Sequence, residues 1–262
     1  MADTIKANGV EIAYRLDGPE SAPVVMLSNS LASNYTMWDA QIPALAGKYR
    51  VLRYDQRGHG GSQATEPPYS FDMLVEDARA LIAALGLGKV HFCGLSMGGM
   101  TGQLFGAKYP QELRSLVLCD TASRMPDPSA FDARAEAARR DGMASLAPAT
   151  LERWFTAPYR AKAKREVERV GAMIASTPVD GFVGCCKAIQ AMDQTHLLAG
   201  IKTPTLIIVG ADDPSTTVEH SEIIHREIVG SKLVVLKNAA HLSNIEQAAD
   251  FNAALRAFLD KH

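Results

Sequence analysis

The sequence has little cysteine and no excess of basic residues. The chain of 262 residues contains four cysteines, Cys93, Cys119, Cys185 and Cys186, and none of them forms a CxxC pair. This usage disfavours a disulfide scaffold, a thioredoxin motif and a structural zinc site. Lysine and arginine number 27 against 29 acidic residues, a formal net charge of -2, whereas a nucleic-acid-binding protein is usually basic. We therefore expect no nucleic-acid partner.

Signals for membrane insertion and export are also missing. No apolar run approaches the roughly 20 residues that a membrane span requires. The N-terminal residues, Met1 to Thr4, lack the basic stretch and the apolar core of a signal peptide. The composition, 47% hydrophobic and 21% charged, is typical of a soluble globular protein. We expect a cytoplasmic protein with no membrane partner.

Short apolar runs alternate with amphipathic stretches along most of the chain. Asn8 and Gly9 favour a type I′ turn and predict an N-terminal hairpin. Residues 71–85 predict a helix with one apolar face, which Gly86 ends. Six apolar runs fit strands that are buried on both faces of a parallel sheet. These runs are residues 24–27, 51–54, 90–93, 116–119, 206–209 and 233–236.

The alternation predicts an α/β fold with a mainly parallel central sheet and helices on both faces. Residues 123–190 break the pattern, because they contain no convincing strand. They open with Pro126 and Pro128 and continue through stretches rich in Ala, Arg and Glu. We predict a helical cap there, with a charged surface helix at 161–170. Residues 1–122 and 191–262 would then form the two parts of the core.

A serine lies between a predicted strand and a predicted helix, in the sequence Gly94-Leu95-Ser96-Met97-Gly98. This setting is what a nucleophile elbow requires, because small residues must flank a serine on so tight a turn. The run does not match G-x-G-x-x-G, and no Gly-Lys-Ser/Thr follows it, which disfavours phosphate binding and a dinucleotide oxidoreductase. We predict that Ser96 is a nucleophile.

A serine nucleophile requires a base and an acid that orients the base. In this architecture the chain order is serine, acid, histidine. Of seven histidines, only His241 lies in a loop between the last predicted strand and the last helix. The strand before it ends in Asp212-Asp213-Pro214, and we favour Asp213 because the residue before proline is held extended. Asp212 is predicted to cap the loop, and Asp120, after an earlier strand, is the competing acid.

Two backbone donors are expected to complete the site as an oxyanion hole. One is the amide of Met97, the residue after the nucleophile, and the other is that of Leu31, in the loop after the third strand. The glycine-rich stretch 54–62 is interpreted as a scaffold loop that Asp55 and Arg57 lock.

With these residues placed, the whole chain resembles the α/β-hydrolase superfamily and, within it, the 3-oxoadipate enol-lactonases. The resemblance covers essentially residues 5–260, although the cap matches less well than the core. It rests on residues 27–31, 37–41, 52–55, 91–99, 153–156 and 240–244. It implies an α/β-hydrolase fold with a helical cap, a triad of Ser96, Asp213 and His241, and oxyanion donors at Leu31 and Met97.

The resemblance also implies an activity. A small-molecule substrate, 3-oxoadipate enol-lactone, would be opened through an acyl-enzyme on Ser96, in the catabolism of protocatechuate and catechol, with no cofactor or metal. The arginines of the cap are the candidates to bind the substrate carboxylate, and Arg134 is the one we choose, because arginine binds carboxylates bidentately. Trp154 is a candidate for the pocket wall, whereas Trp38 is expected in the core. A carboxylesterase, a carbon–carbon bond hydrolase and a non-catalytic ligand sensor are the alternatives on the same fold.

Overall fold

An eight-stranded sheet runs through the computed structural model, which describes residues 2–262. The strand order is β1-β2-β4-β3-β5-β6-β7-β8. The strands are β1 (Asp3–Ala7), β2 (Val10–Asp17), β3 (Val24–Ser28), β4 (Arg50–Tyr54), β5 (Val90–Leu95), β6 (Leu113–Cys119), β7 (Thr205–Gly210) and β8 (Lys232–Leu236). The β1–β2 and β2–β4 pairs are antiparallel, and the other pairs are parallel. The predicted α/β fold with a mainly parallel sheet is confirmed.

Eleven α-helices accompany the strands of residues 2–262. They are α1 (Ile42–Leu45), α2 (Phe71–Ala84), α3 (Met97–Lys108), α4 (Ala130–Asp141), α5 (Met143–Trp154), α6 (Ala157–Lys162), α7 (Lys164–Ala175), α8 (Val179–Gln190), α9 (Val218–Glu227), α10 (Ser243–Glu246) and α11 (Ala248–Leu259). Of the core helices, α1 contacts α11, and α2 contacts α3. Among these helices, none combines the length and the apolarity of a membrane-spanning segment.

The N-terminal hairpin forms at the predicted turn. Asn8 and Gly9 have φ angles of 47° and 82°, both positive, as a type I′ turn requires. The Asn8 side chain donates a hydrogen bond of 2.7 Å to the Asp77 carboxylate on α2, which fastens the hairpin to the helix. The N-terminal stretch that is predicted to lack a signal peptide begins at Met1, and Met1 lies outside the described residues.

The central strands are buried along their length, but the last strand is not. Every residue of β5 and of β7 is buried, as predicted for a parallel sheet with helices on both sides. In β8, Lys232 and Val235 are exposed. The predicted strand at 233–236 is therefore confirmed, but the prediction that it is buried on both faces is wrong. The reason is that β8 pairs with β7 alone and forms an edge of the sheet.

Five helices, α4 to α8, fill the connection between β6 and β7, and we call them the cap. The charged helix predicted at 161–170 is two helices, because the chain turns at Ala163 (φ -105°, ψ 44°) between α6 and α7. The cap lies very close to the core at one point. A Cβ on Gly181 of α8 would stand 1.9 Å from the carbonyl oxygen of Gly58, so this contact requires glycine.

Candidate active site

Ser96 lies on a strained turn between β5 and α3. Its backbone has φ 55° and ψ -112°, a conformation that non-glycine residues rarely adopt outside functional turns. The turn leaves no room for side chains beside the serine. A Cβ on Gly94 would stand 2.1 Å from the Gly98 carbonyl oxygen, and one on Gly98 would stand 2.2 Å from that of Ser28. The glycines of the motif are therefore required by close backbone contacts.

His241 and Asp213 form a buried hydrogen-bonded pair on the loops that follow β8 and β7. His241 Nδ1 lies 2.8 Å from Asp213 Oδ2. Asp213 Oδ1 accepts hydrogen bonds from the amides of Ser215 and Thr216, and its Oδ2 accepts one from the Thr216 hydroxyl. Burial opposes ionisation of Asp213, but attraction to His241 and these hydrogen bonds outweigh it and hold the pKa of the carboxyl below its usual range.

Ser96 and His241 line the same cavity. The Asp213 carboxylate accepts a hydrogen bond from His241 Nδ1–H, which leaves Nε2 unprotonated as the nitrogen that could accept the serine proton. Ser96 Oγ has no hydrogen-bond partner in the part of the chain that the structure describes. The structure thus brings the three predicted triad residues together in the predicted chain order, with the histidine–acid contact already formed.

The two alternative carboxylates have different surroundings. Asp212 is exposed, and within residues 2–262 its carboxylate accepts no hydrogen bond. The prediction that Asp212 caps the loop is therefore wrong, because Asp213 itself accepts from the loop amides. Asp120 is fully buried and accepts from Gly210 N at 2.8 Å and Ser243 Oγ at 2.5 Å. Burial and the charge of Asp213 raise the pKa of Asp120 well above its usual range.

The two predicted oxyanion donors lie on opposite sides of Ser96 in the sequence. Leu31 lies in the loop after β3 and lines the cavity with Ser96. Met97 is the first residue of α3, so its N–H has no partner within the helix. Neither amide donates a hydrogen bond to any other described residue. Both remain available to an oxygen atom of a ligand.

A cavity of about 520 Å³ lies between the cap and the core. Much of its lining is apolar, and it includes Met100, Met125, Phe131, Trp154 and Ile189. The ring of Trp154 lies beside that of His241, with 6.3 Å between centroids. Trp38, in contrast, is fully buried and donates from Nε1 to Asn29, which confirms its predicted place in the core.

Two arginines of the cap line this cavity. Arg134, on α4, lies over the rings of Phe131 and Phe182, 5.2 and 5.6 Å from their centroids. Arg153, on α5, donates to the Thr150 hydroxyl at 3.2 Å. Burial lowers the pKa of both guanidinium groups. Neither forms an ion pair with any carboxylate among residues 2–262, and the sequence reasoning did not single out Arg153.

A buried carboxylate that the sequence reasoning missed joins the cap to the loop of His241. Glu246 Oε2 accepts from the backbone amide of Ala240 at 2.9 Å. Its Oε1 accepts from the amide and the hydroxyl of Thr156, between α5 and α6. On the other side of His241, the amide of Leu242 donates to the carbonyl of Trp154 at 3.1 Å. Both neighbours of the histidine are thus connected to the cap.

Comparison with known proteins gives consistent results. A family model described as alpha/beta hydrolase fold matches residues 23–248. The chain is 36% identical over 259 residues to 3-oxoadipate enol-lactonase 2 of Acinetobacter baylyi, and this alignment covers 99% of this chain and 97% of that protein. It is 36% identical over 251 residues to 3-oxoadipate enol-lactonase 1 of the same organism, covering 96% and 94%. The crystal structure of the enol-lactonase from Burkholderia xenovorans superposes with a TM-score of 0.97 at 38% identity, over 98% of this chain and 100% of that one.

Proposed function

Because the chain belongs to the α/β-hydrolase family, and within it to the carboxylic ester hydrolases that open enol-lactones, we propose that its substrate is 3-oxoadipate enol-lactone. The product would be 3-oxoadipate, formed in the catabolism of protocatechuate and catechol. The observation that carries this proposal is the pair Arg134 and Arg153, two cations without a carboxylate partner among residues 2–262, in the cavity that Ser96 also lines. They match a small ester that bears a free carboxylate.

In the proposed reaction Ser96 is the nucleophile and His241 is the base. Ser96 Oγ attacks the lactone carbonyl while His241 Nε2 takes the hydroxyl proton, and Asp213 stabilises the resulting imidazolium through Nδ1–H. The amides of Leu31 and Met97 donate hydrogen bonds to the oxyanion. When the intermediate collapses, the ring C–O bond breaks and the acyl chain stays on Ser96.

The leaving group of this step is an enol that remains attached to the acyl chain. His241 returns its proton to the enolate oxygen, and the enol then tautomerises to a ketone, which draws ring opening forward. Water, activated by His241, attacks the acyl-enzyme and releases the dicarboxylate product. Besides the substrate and this water, the proposed steps use side chains and backbone amides of this chain.

The substrate carboxylate would bind to the two arginines. Removing a guanidinium from water is costly unless a hydrogen-bonded anion offsets the loss. Arg134 and Arg153 bear this cost, since burial lowers the pKa of each. A substrate carboxylate in the cavity would offset it, with the bidentate geometry that arginine favours. Trp154, beside His241, would form the wall against which the lactone ring packs.

The test follows the loss of ultraviolet absorbance as 3-oxoadipate enol-lactone is hydrolysed. The hydrolysis of p-nitrophenyl acetate, an ester without a free carboxylate, is measured beside it. We expect Arg134→Gln and Arg153→Gln each to raise KM for the lactone by about 10- to 100-fold, the value of one or more charged hydrogen bonds. Ester hydrolysis should change less than about threefold. Ser96→Ala should lower kcat for both substrates by roughly 10⁶-fold.

The matched control is Arg139→Gln, because Arg139 is exposed on the same helix as Arg134 and does not line the cavity. It should leave both reactions unchanged. Slow lactone turnover by the unaltered protein with intact ester turnover would overturn the proposed substrate. Full activity of Ser96→Ala would overturn the proposed mechanism.

A further inference from the structure

Three consecutive amides in the loop after β3 have different partners. The amide of Ser30 donates to Met37 Sδ at 3.4 Å, and that of Ala32 donates to His59 Nε2 at 3.0 Å. The amide of Leu31, between them, donates to no described residue. Two side-chain acceptors therefore hold the neighbours of Leu31, and of these three amides only that of Leu31 remains for a ligand.

The protonation of His59 follows from its contacts. His59 is fully buried, and its Nδ1 lies 3.2 Å from the carbonyl oxygen of Arg57. The Ala32 N–H is a donor, so Nε2 must accept, and Nδ1 carries the hydrogen and donates to Arg57. Burial also lowers the pKa of His59 to about 4. The imidazole is thus neutral, and Nε2 remains an acceptor, at neutral pH.

The loop is attached to the elbow on its other side. The carbonyl oxygen of Asn29 accepts from the amide of Gly98 at 2.9 Å and from Gln56 Nε2 at 2.6 Å. After Leu31, the chain passes through Ala32 with φ 61°, a left-handed conformation that is unfavourable for alanine. His59 is the side chain that accepts the hydrogen bond of Ala32 in this conformation.

We propose that His59 is a positioning residue for the oxyanion hole: its Nε2 holds the Ala32 amide and thereby directs the Leu31 N–H at the substrate oxyanion. This inference rests on the proposed roles of Ser96 and Leu31. Without the acceptor, Ala32 can relax from its left-handed conformation, and the short turn that contains Leu31 rotates with it. The donor would then be displaced although its own residue is unchanged.

The experiment compares His59→Leu, which has no acceptor, with His59→Gln, whose side-chain carbonyl oxygen can take the place of Nε2. The loss of one oxyanion donor lowers kcat about 10²- to 10³-fold. We expect His59→Leu to lower kcat for p-nitrophenyl acetate by about 100-fold with KM within about threefold, and His59→Gln to recover at least tenfold of that loss. Affinity for an alkylboronic acid, which forms a tetrahedral adduct on serine, should fall in parallel, whereas affinity for 3-oxoadipate should not.

His91→Leu is the matched control. His91 is also buried, and burial likewise lowers its pKa to about 4, but its partner is Ser115 and it does not line the cavity. This variant should lower the melting temperature and leave kcat unchanged. A folded His59→Leu protein with kcat within threefold of the unaltered protein would overturn the inference.

If His59→Leu does not fold, kcat of His59→Gln is compared with that of His59→Asn instead. The asparagine side chain is one methylene shorter, so its carbonyl oxygen cannot reach the Ala32 amide, and its kcat should be lower. Equal kcat in these two variants would overturn the inference. Ser96→Ala distinguishes failure of the proposed function from failure of the role of His59. If it keeps ester hydrolysis, the proposed mechanism fails. If it abolishes hydrolysis while His59→Leu keeps it, only the role of His59 fails.

Discussion

Replacement of Asp213 by asparagine is expected to preserve the fold and remove most of the activity. The asparagine oxygen can keep the hydrogen bonds that Oδ1 accepts from the amides of Ser215 and Thr216. The amide nitrogen then occupies the position of Oδ2, 2.8 Å from His241 Nδ1. An NH₂ group donates, so Nδ1 must accept and Nε2 must carry the hydrogen. Histidine in that tautomer cannot take the proton of Ser96.

The size of the effect depends on one neighbour of the histidine. The same change in a serine protease triad lowers kcat about 10⁴-fold, or about 5 kcal/mol in the activation barrier. Here the hydroxyl of Thr216 also lies 3.3 Å from His241 Nδ1. This hydroxyl can accept from Nδ1–H and keep part of the population in the productive tautomer. We therefore expect a loss of about 10³- to 10⁴-fold.

The assay is the initial rate of lactone and p-nitrophenyl acetate hydrolysis near neutral pH, with circular dichroism to check folding. Asp120→Asn is the control. Burial and the charge of Asp213 raise the pKa of Asp120 well above its usual range and so disfavour its charged form, and an uncharged amide has nearly the same shape as the carboxyl. We expect kcat to change less than about threefold. A larger loss in Asp120→Asn than in Asp213→Asn would refute the reasoning and make Asp120 the acid.

Three further perturbations test the packing around the site. Asp77→Ala leaves the buried Arg57 without the carboxylate that it contacts at 2.8 and 2.6 Å; urea titration should show a loss of about 3–5 kcal/mol in the free energy of unfolding, and a loss below about 1 kcal/mol would contradict this. Gly181→Ala places a methyl group against Gly58 O and should lower the free energy of unfolding by about 1–3 kcal/mol. An unchanged free energy of unfolding would contradict this and show that α8 can move away from the core. Burial raises the pKa of Asp55 to about 6, so between pH 4 and 6 the unfolded chain releases a proton that the folded chain keeps. The free energy of unfolding should therefore fall by about 3 kcal/mol as pH rises through this window. Asp55→Asn should lack this fall, and the same dependence on pH in the variant and the unaltered protein would exclude Asp55 as its source.

The strands could be predicted where the signal is local. The runs that became β3, β5 and β7 are continuously apolar because both faces of these strands are covered. The run that became β8 is apolar as well, yet Val235 within it is exposed and only Leu236 is buried. Whether a strand lies inside a sheet or at its edge depends on the order of all the strands, which a local pattern does not contain.

The site divides in the same way. Ser96 and His241 could be predicted because the elbow motif and the chain order constrain them. For the two adjacent aspartates the sequence favoured Asp213 beside the histidine but wrongly gave Asp212 the loop amides, since both residues follow the same strand and the dihedral angles of the loop decide which carboxylate turns inward. Arg153 was indicated only as a cap arginine within the stretch 153–156, and Glu246 had no local signal. The contact of Glu246 with Thr156 joins residues 90 positions apart, which only the folded chain brings together.

The shared carboxylate of Glu246 has a consequence for exchanging caps between related enzymes. A grafted cap that lacks the hydroxyl of Thr156, or shifts its amide, would leave a buried carboxylate bonded only to Ala240. The loop of the histidine would then adjust to the foreign segment. A recombinant library for new substrates should therefore carry positions 156 and 246 together as one unit. Its diversity belongs at the cavity-lining positions of the cap helices, such as Phe131 on α4 and Ile189 on α8.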